Sequence, residues 1–455
     1  MKSFLPPSAW FLCAMLPAMA LAQSSERAEL AALRAQMQQL EAQLQKLTRQ
    51  VELKEAAAAA PAQPSQVKVD DKGYAFSSGD AHNSLRLRAL LQADLRQFFD
   101  DGGGTANNAF VLRRVRLISE GTLAKNFHFQ FVPEFGGSAV TINEANLNIT
   151  LTDSLAVRFG RFKEPIGLER LQSDSWTFFN ERSIATNLTP DRDLGVQVAG
   201  DLAGGRVNYA VGVFNGLADA AGSNNTDHDD EKDLVGRVMA TPFKSRADTA
   251  WRGLSLGIAG STGRHKTASG RTNGYRTDGQ QVFFAFNPGV VADGRTWRVA
   301  PQLDFRDGPF GLLGEYIVSA ANVRAATGPV TEVRNTAGSV QAGYVLTGEA
   351  SAYNGVMPRV NFDPAAGTWG AFEVTGRHAW LSIDTSAFPT LASVTANASD
   401  ARSIGVGLNW YLSKAVAFKF DYYQTKFGFQ PGAAPTAPVL QQDEKVFITR
   451  FQVSF

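Results

Sequence analysis

The chain has 455 residues, with 44 basic and 43 acidic side chains, 42 glycines and 31 phenylalanines. That length is large for a single soluble core, and the balanced charge leaves no basic excess to neutralise phosphates, which excludes nucleic acid as a partner. One cysteine, Cys13, rules out a disulfide framework or a cysteine metal site, and the five histidines stand singly, so neither a metal nor a cofactor is called for.

Residues 1–22 read as a secretory signal. Lys2 supplies the positive start, Trp10 to Leu16 the apolar run, and Ala20-Leu21-Ala22 the small-residue cleavage site. The run is too short for a helical membrane span. Residues 23–55 then carry Leu30, Leu33, Met37, Leu40, Leu44, Leu47 and Val51 at alternating spacings of three and four. This heptad predicts an α-helical coiled coil that associates with copies of itself; the alternative is a lone amphipathic helix packed elsewhere. Residues 56–83 lead to the next domain. The stretch to 72 reads as a linker, with five alanines (Ala56 to Ala60) running into Pro61 and Pro64.

From residue 84 to 455 the apolar pattern has a period of two, and no run is long enough for a helical span. Sixteen strands are expected: 84–98, 110–122, 126–134, 140–151, 155–162, 193–202, 206–214, 233–243, 253–262, 296–306, 310–318, 335–347, 369–384, 400–412, 415–425 and 444–455. Short turns alternate with long loops, as in an outer-membrane barrel. The segment 348–368 is a misfit, because a short turn is due there. At the end of the chain Phe447, Phe451, Val453 and Phe455 share one face, while Arg450, Gln452 and Ser454 share the other. A barrel wall between lipid and water needs that pattern; an edge strand of a soluble sandwich is the alternative. The expected fold is an all-β transmembrane antiparallel β-barrel of 16 strands, preceded by the coiled coil. A barrel of that size leaves an aqueous channel.

No catalytic constellation is present: HExxH, GxSxG and GxxxxGK are all missing from the sequence. The chain therefore reads as a channel and not an enzyme, and its chemistry lies in its lining. In the first strand Arg86, Arg88, Leu90, Gln92, Asp94 and Arg96 alternate with apolar residues and are expected to face the lumen. In the second, Leu112, Arg114, Arg116, Ile118 and Glu120 are the expected inner set. The same reasoning puts Arg158, Arg298, Arg306, Arg377, Lys419 and Arg450 inside, with Asp304, Glu315, Glu373 and Asp421, because lipid-facing charges cost ~2–4 kcal/mol at the midplane. Arg dominates the basic set, and rows of basic residues select anions; a mixed lumen of paired charges is the alternative. The third long loop, 163–192, is too apolar for an exposed loop, with Trp176, Phe178 and Phe179. It is expected to fold into the lumen as the constriction, offering Lys163, Arg170, Arg182 and Arg192. The acidic run from Asp227 to Glu231 reads as a solvated rim, with calcium binding as a weak alternative.

Several stretches together resemble the phosphate-selective porin family, porins O and P. They are Leu91-Gln92-Ala93-Asp94, Arg113-Arg114, Phe159-Gly160-Arg161-Phe162 followed by Gly167-Leu168-Glu169, Val345-Leu346-Thr347-Gly348-Glu349, and Leu408-Asn409-Trp410-Tyr411. The chain's aromatic ending also resembles the insertion signal of bacterial outer-membrane proteins. The resemblance implies a Gram-negative outer-membrane homotrimer of sixteen-stranded barrels, with an arginine ladder leading to a central phosphate site. Family positions fall on Arg113, Arg114 and Arg158, and an acidic one falls near Asn143-Glu144. Arg113 and Arg114 are adjacent, so a regular strand turns only one inward; a bulge would let both contribute. At Leu90 the chain departs from phosphate-specific members, which have an arginine there. The function expected is passive diffusion of small solutes with a preference for anions such as phosphate, through Arg113, Arg114, Arg116, Arg158, Lys163, Arg170, Arg86 and Arg88. The alternatives are a general diffusion porin and a structural tether. Barrel and coil both serve trimerisation, with the coil in the periplasm and within reach of the cell wall.

Overall fold

The computed structural model describes residues 16–59, 64–70, 73–99, 106–222, 227, 229–268 and 274–455. Two units are distinct, one up to Pro64 and one from Ser65 to Phe455. The first contains helix α1 (Leu16–Ala59). Its heptad residues from Leu33 to Val51 are 51–63% exposed. The first fifteen residues of the expected signal lie outside the described residues.

The expected linker holds a hairpin, β1 (Gln66–Asp70) and β2 (Gly73–Ser77). Alternation of Gln66, Val67, Lys68 and Val69 is a strand pattern too short to stand out beside the alanine and proline run. The barrel follows. Its first nine strands are β3 (Ser84–Phe99), β4 (Ala109–Leu123), β5 (Phe127–Glu134), β6 (Thr141–Thr152), β7 (Leu155–Lys163), β8 (Arg192–Leu202), β9 (Val207–Phe214), β10 (Asp233–Ala240) and β11 (Ser255–Ala268). A small hairpin, β12 (Tyr275–Arg276) and β13 (Val282–Phe284), lies within the fifth long loop. The remaining seven strands are β14 (Val291–Asp307), β15 (Phe310–Arg324), β16 (Thr331–Val345), β17 (Ala371–Ser382), β18 (Asp400–Tyr411), β19 (Val416–Gly428) and β20 (Glu444–Ser454).

Each barrel strand pairs antiparallel with the next, and β20 closes the sheet on β3. The result is the expected all-β closed barrel of sixteen strands. Loop 263–295 shrinks to 269–290, because β11 and β14 extend beyond their apolar stretches through polar residues. On β3 the edge facing β20 is shared. Residues Leu90 to Phe99 pair with β20, whereas Ser84 to Leu87 pair with β2. Ala89 exchanges both backbone hydrogen bonds with Phe455 at 2.8 and 3.2 Å.

The outer face is apolar. Phe110 is 87% exposed and Ile404 60%, and a belt at the turn end of the barrel clusters Phe362, Trp369, Phe372, Trp410 and Phe418. That is the lipid-facing surface with an aromatic girdle that a membrane barrel requires. The apolar core is inside the barrel. One cluster joins Phe162, Ile166, Ile184 and Leu188 to Phe283, Phe284 and Leu391, and a second joins Leu168, Phe178 and Phe179 to Tyr423 and Ile448. Loops from both ends fill much of the lumen, and their packing decides where the channel runs.

Candidate functional site: an arginine-lined passage beside an inward-folded loop

The third long loop (164–191) folds into the barrel, as its apolar content predicts. Leu168 and Glu169 of a short helix, α2 (Leu168–Leu171), and most of a 3-10 turn (Ile184–Leu188) are buried. The loop presses on strands β15 and β17–β20. Asn180 donates to Asp421 at 2.6 Å and to the Ile448 carbonyl at 3.0 Å. Asn409 donates to the Phe178 carbonyl at 2.9 Å, and Arg377 to the Glu181 carbonyl at 2.8 Å. Arg377 also stacks 4.5 Å from the Phe179 ring centre, and Arg306 stacks 4.7 Å from that of Phe178. The unexpectedly long turn, 346–370, enters from the other end and props the loop. Tyr353 donates to the Leu168 carbonyl at 2.7 Å, and Gln172 donates to the Tyr353 carbonyl at 2.8 Å.

What stays open lies between this loop and the wall formed by β3–β8. The space has two chambers. One, at the loop end, has a volume of about 370 Å³ and is walled by Arg113, Arg114, Arg170, Arg182 and Arg276, with Glu134, Glu181 and Asp191. The other, at the turn end, measures about 780 Å³ and holds Arg86, Arg88, Arg158, Lys163 and Lys414, with Glu144. Arg116, Asp174 and Arg192 belong to both walls and mark the junction. Together the chambers carry twelve basic side chains against five acidic ones.

The junction is a carboxylate surrounded by guanidiniums. Asp174 contacts Arg116 and Arg182 at short range, Arg114 at 3.3 Å and Arg192 at 3.8 Å. Burial opposes ionisation of Asp174, but Arg114, Arg182 and Arg116 outweigh it and hold the carboxyl well below the usual range. Glu181 is similar. Arg113 binds it through two nitrogens at 2.7 and 3.0 Å, with Arg96 at 3.2 Å and Arg450 at 3.1 Å. Against the penalty of burial, Arg113 and Arg450 hold it ionised. Both acids belong to the inward loop. No pattern in Leu171-Gln172-Ser173-Asp174 distinguishes the first from an ordinary loop residue.

Each of the eight expected site residues lines one of the two chambers or both. Arg86, Arg88, Arg158 and Lys163 stand in the turn-end chamber; Arg113, Arg114 and Arg170 stand in the loop-end chamber; Arg116 is shared. Their availability differs. Arg86 and Arg158 make no ion pair among the described residues, whereas Arg88 meets Glu120 at 3.3 Å. Lys163 donates to the Gln172 carbonyl at 2.8 Å, and Arg170 to the Thr186 carbonyl at 2.7 Å. A bulge does turn both Arg113 and Arg114 inward. Gln92 faces Arg114 and Ala93 faces Leu112, which leaves Arg113 as the extra residue. Beyond the bulge the faces exchange. Leu112, expected inside, is 59% exposed outside, and Val111 takes its place opposite Asp94.

The other inward arginines are inside but are not channel lining. Arg298 binds Asp219 at 2.7 Å, Arg377 binds Asp278 at 2.5 Å, and Arg450 binds Asp94 at 2.6 Å. Their partners belong to inward loops or to the wall itself, so for these residues the paired-charge alternative holds. In the acidic run, Asp227, Asp229 and Glu231 meet Lys232, His265 and Lys266 respectively. No group suited to a metal ion occurs among the described residues. Arg276 and Tyr353 joined the site without any signal in the sequence.

Comparison with known proteins places this architecture. Porin O of Pseudomonas aeruginosa is 24% identical over 387 residues, which is 78% of this chain and 85% of that protein. The outer membrane channel DcaP of Acinetobacter baumannii superposes with a TM-score of 0.53 at 11% identity, covering 84% of this chain and 99% of that one. An anion-selective porin from Comamonas acidovorans superposes with a TM-score of 0.51 at 13% identity, covering 82% and 100%. These likenesses in structure concern the barrel fold. A family profile described as phosphate-selective porin O and P matches residues 85–455, so the whole barrel belongs to that family of outer-membrane porins.

Proposed function

We propose that this porin conducts small solutes passively with a preference for anions, as a homotrimer whose exposed helical stripe on α1 forms a periplasmic coiled coil. The observation that carries the reading is the excess of twelve basic over five acidic side chains along the two chambers. Rows of such charges raise the local anion concentration, and a conducting site must still bind weakly enough to release its ion. Arg86, Arg88 and Arg158 attract at the turn end, Arg113 and Arg170 attract at the loop end, and Arg114 and Arg116 flank the junction. The family profile described as phosphate-selective porin O and P supports phosphate as one of the anions.

The clamp on Asp174 bears on how strongly phosphate is held. A carboxylate of the protein already accepts from the guanidiniums that a phosphate at the junction would need, so phosphate binds there in competition with it. We therefore assign a general anion preference, with phosphate among the permeant ions and held weakly. The test is single-channel recording of purified protein in planar bilayers under a salt gradient. The expected result is an anion-selective reversal potential with weak, saturable phosphate block. A potential near zero or of cationic sign would leave a general diffusion porin, and no conductance would favour the tether. A truncation lacking residues 23–55 that conducts but no longer runs as a trimer would fit the role given to the coil.

A further inference from the structure

The two chambers differ in more than size. The loop-end chamber is walled almost entirely by charged and polar groups. The turn-end chamber sets cations beside apolar surface. In cross-strand register Arg88 pairs with Ile118 and Arg116 with Leu90, so a cation and an aliphatic side chain are neighbours on one face of the wall. Leu171 and Trp176 of the inward loop and Met357 of the long turn line the same chamber, and Met357 is 42% exposed. An inorganic anion gains nothing from that surface.

Two of the cations here, Arg158 and Lys163, make no ion pair among the described residues. Arg158 makes no hydrogen bond or ion pair among the described residues, and its buried Nε has no partner. Its guanidinium lies 5.3 Å from the Phe162 ring centre, held by stacking and not by a carboxylate. Lys163 uses one donor on the Gln172 carbonyl and keeps two others. A chamber of about 780 Å³ with an apolar wall and a few convergent donors has the form of a small-molecule site.

We propose that the turn-end chamber binds organic anions that carry an apolar body, of the arylcarboxylate or arylsulfonate class. The charged head sits against Arg158 and Lys163, and the ring lies against Ile118, Leu171 and Trp176. This inference rests on the anion-preferring reading above and names the kind of anion favoured.

The experiment compares three blockers of the chloride current through single channels of the full-length protein: benzenesulfonate, methanesulfonate and inorganic phosphate. Benzenesulfonate should half-block at a concentration about tenfold lower than methanesulfonate, because only it buries a ring. Ile118→Asn and Leu171→Asn, each tested alone, should bring the two sulfonates together. Equal block by both sulfonates in the unmodified, anion-selective channel overturns the inference while leaving the porin reading intact. A preference for benzenesulfonate that survives both substitutions also overturns it, since the ring then binds elsewhere. A cation-selective reversal potential removes the anion-preferring reading itself.

Discussion

The two sides of the lumen are built from the same inward-facing arginines and do opposite things with them. On the side of β14–β20, Arg298, Arg377 and Arg450 are buried against carboxylates and loop carbonyls, and they fasten the inserts to the wall. On the side of β3–β8, Arg86, Arg88, Arg113 and Arg158 border open space. An inward arginine is therefore an anchor or a selectivity group according to what stands opposite it. The large inner loop supplies the difference. Its carbonyls and apolar residues cover one side, and two of its carboxylates, Asp174 and Glu181, reach toward the other.

The contrast breaks most severely at an anchor. Arg450→Met takes from the buried Asp94 and Glu181 one of the two guanidiniums they share, Arg96 being the other, at a cost of about 3 kcal/mol, the low end for a broken buried pair. The folded barrel should lose thermal stability, and single channels should become larger and noisier as the loop loosens. Asp174→Asn acts on the open side. It keeps the shape and removes the negative charge that four guanidiniums share, although Arg116 keeps Glu134 and Arg192 keeps Glu144, so phosphate should block at a concentration about tenfold lower, read from the chloride current. Arg158→Gln removes one uncompensated cation, and the anion-to-cation permeability ratio should fall about twofold. The asparagine and glutamine substitutions thus move selectivity in opposite directions, and a shift in the same direction would contradict the assignment.

Two further outcomes concern pH. Asp174 and Glu181 have depressed folded values, so their contribution is present above the ordinary carboxylate range and lost only as pH falls through the depressed values. Selectivity measured from neutral pH down to about 4, the usual carboxylate value, should stay constant. Glu164 is the opposite case. Burial, with Asp193 and Asp233 nearby, pushes its carboxyl well above the usual range, and neither oxygen has a hydrogen-bond partner. The folded chain holds this proton more tightly than the unfolded one, so its share of stability declines as pH rises above the ordinary carboxylate value. Glu164→Gln should remove that decline in a series of thermal melts, with conductance unaltered.

Much of this was legible in advance and for definite reasons. Strand positions follow from alternation, since a lipid face and a water face impose a period of two at every strand. The inner face of β3 follows from Arg86, Arg88, Asp94 and Arg96 sharing one parity. The face of β4 does not follow throughout, because the bulge at Arg113 exchanges its parity and sends Leu112 outward. The adjacent arginines were the one local hint of it. The inward loop announced itself through Trp176, Phe178 and Phe179. Which lumen arginines would be covered was not legible. Alternation reports the face a side chain is on, whereas its partner is brought by a loop far away in sequence. The role of 346–370 was hidden likewise: Tyr353 matters through contacts with Leu168 and Gln172.

The divided edge of β3 also fixes how the ring can close. β20 stops opposite Leu90, and β2 begins opposite Leu87, with the Phe455 ring 6.3 Å from that of Tyr74. A slip of β20 by two residues toward the turns would drive it into the hairpin. The reverse slip would strip Ala89 of both its bonds to Phe455. The hairpin is local to β3 and forms without waiting for the far end of the chain, whereas β20 must arrive across some 350 residues of contour, a separation that slows pairing. The short hairpin thus occupies the part of the β3 edge that a slipped β20 would need, and so marks the register in which the barrel closes.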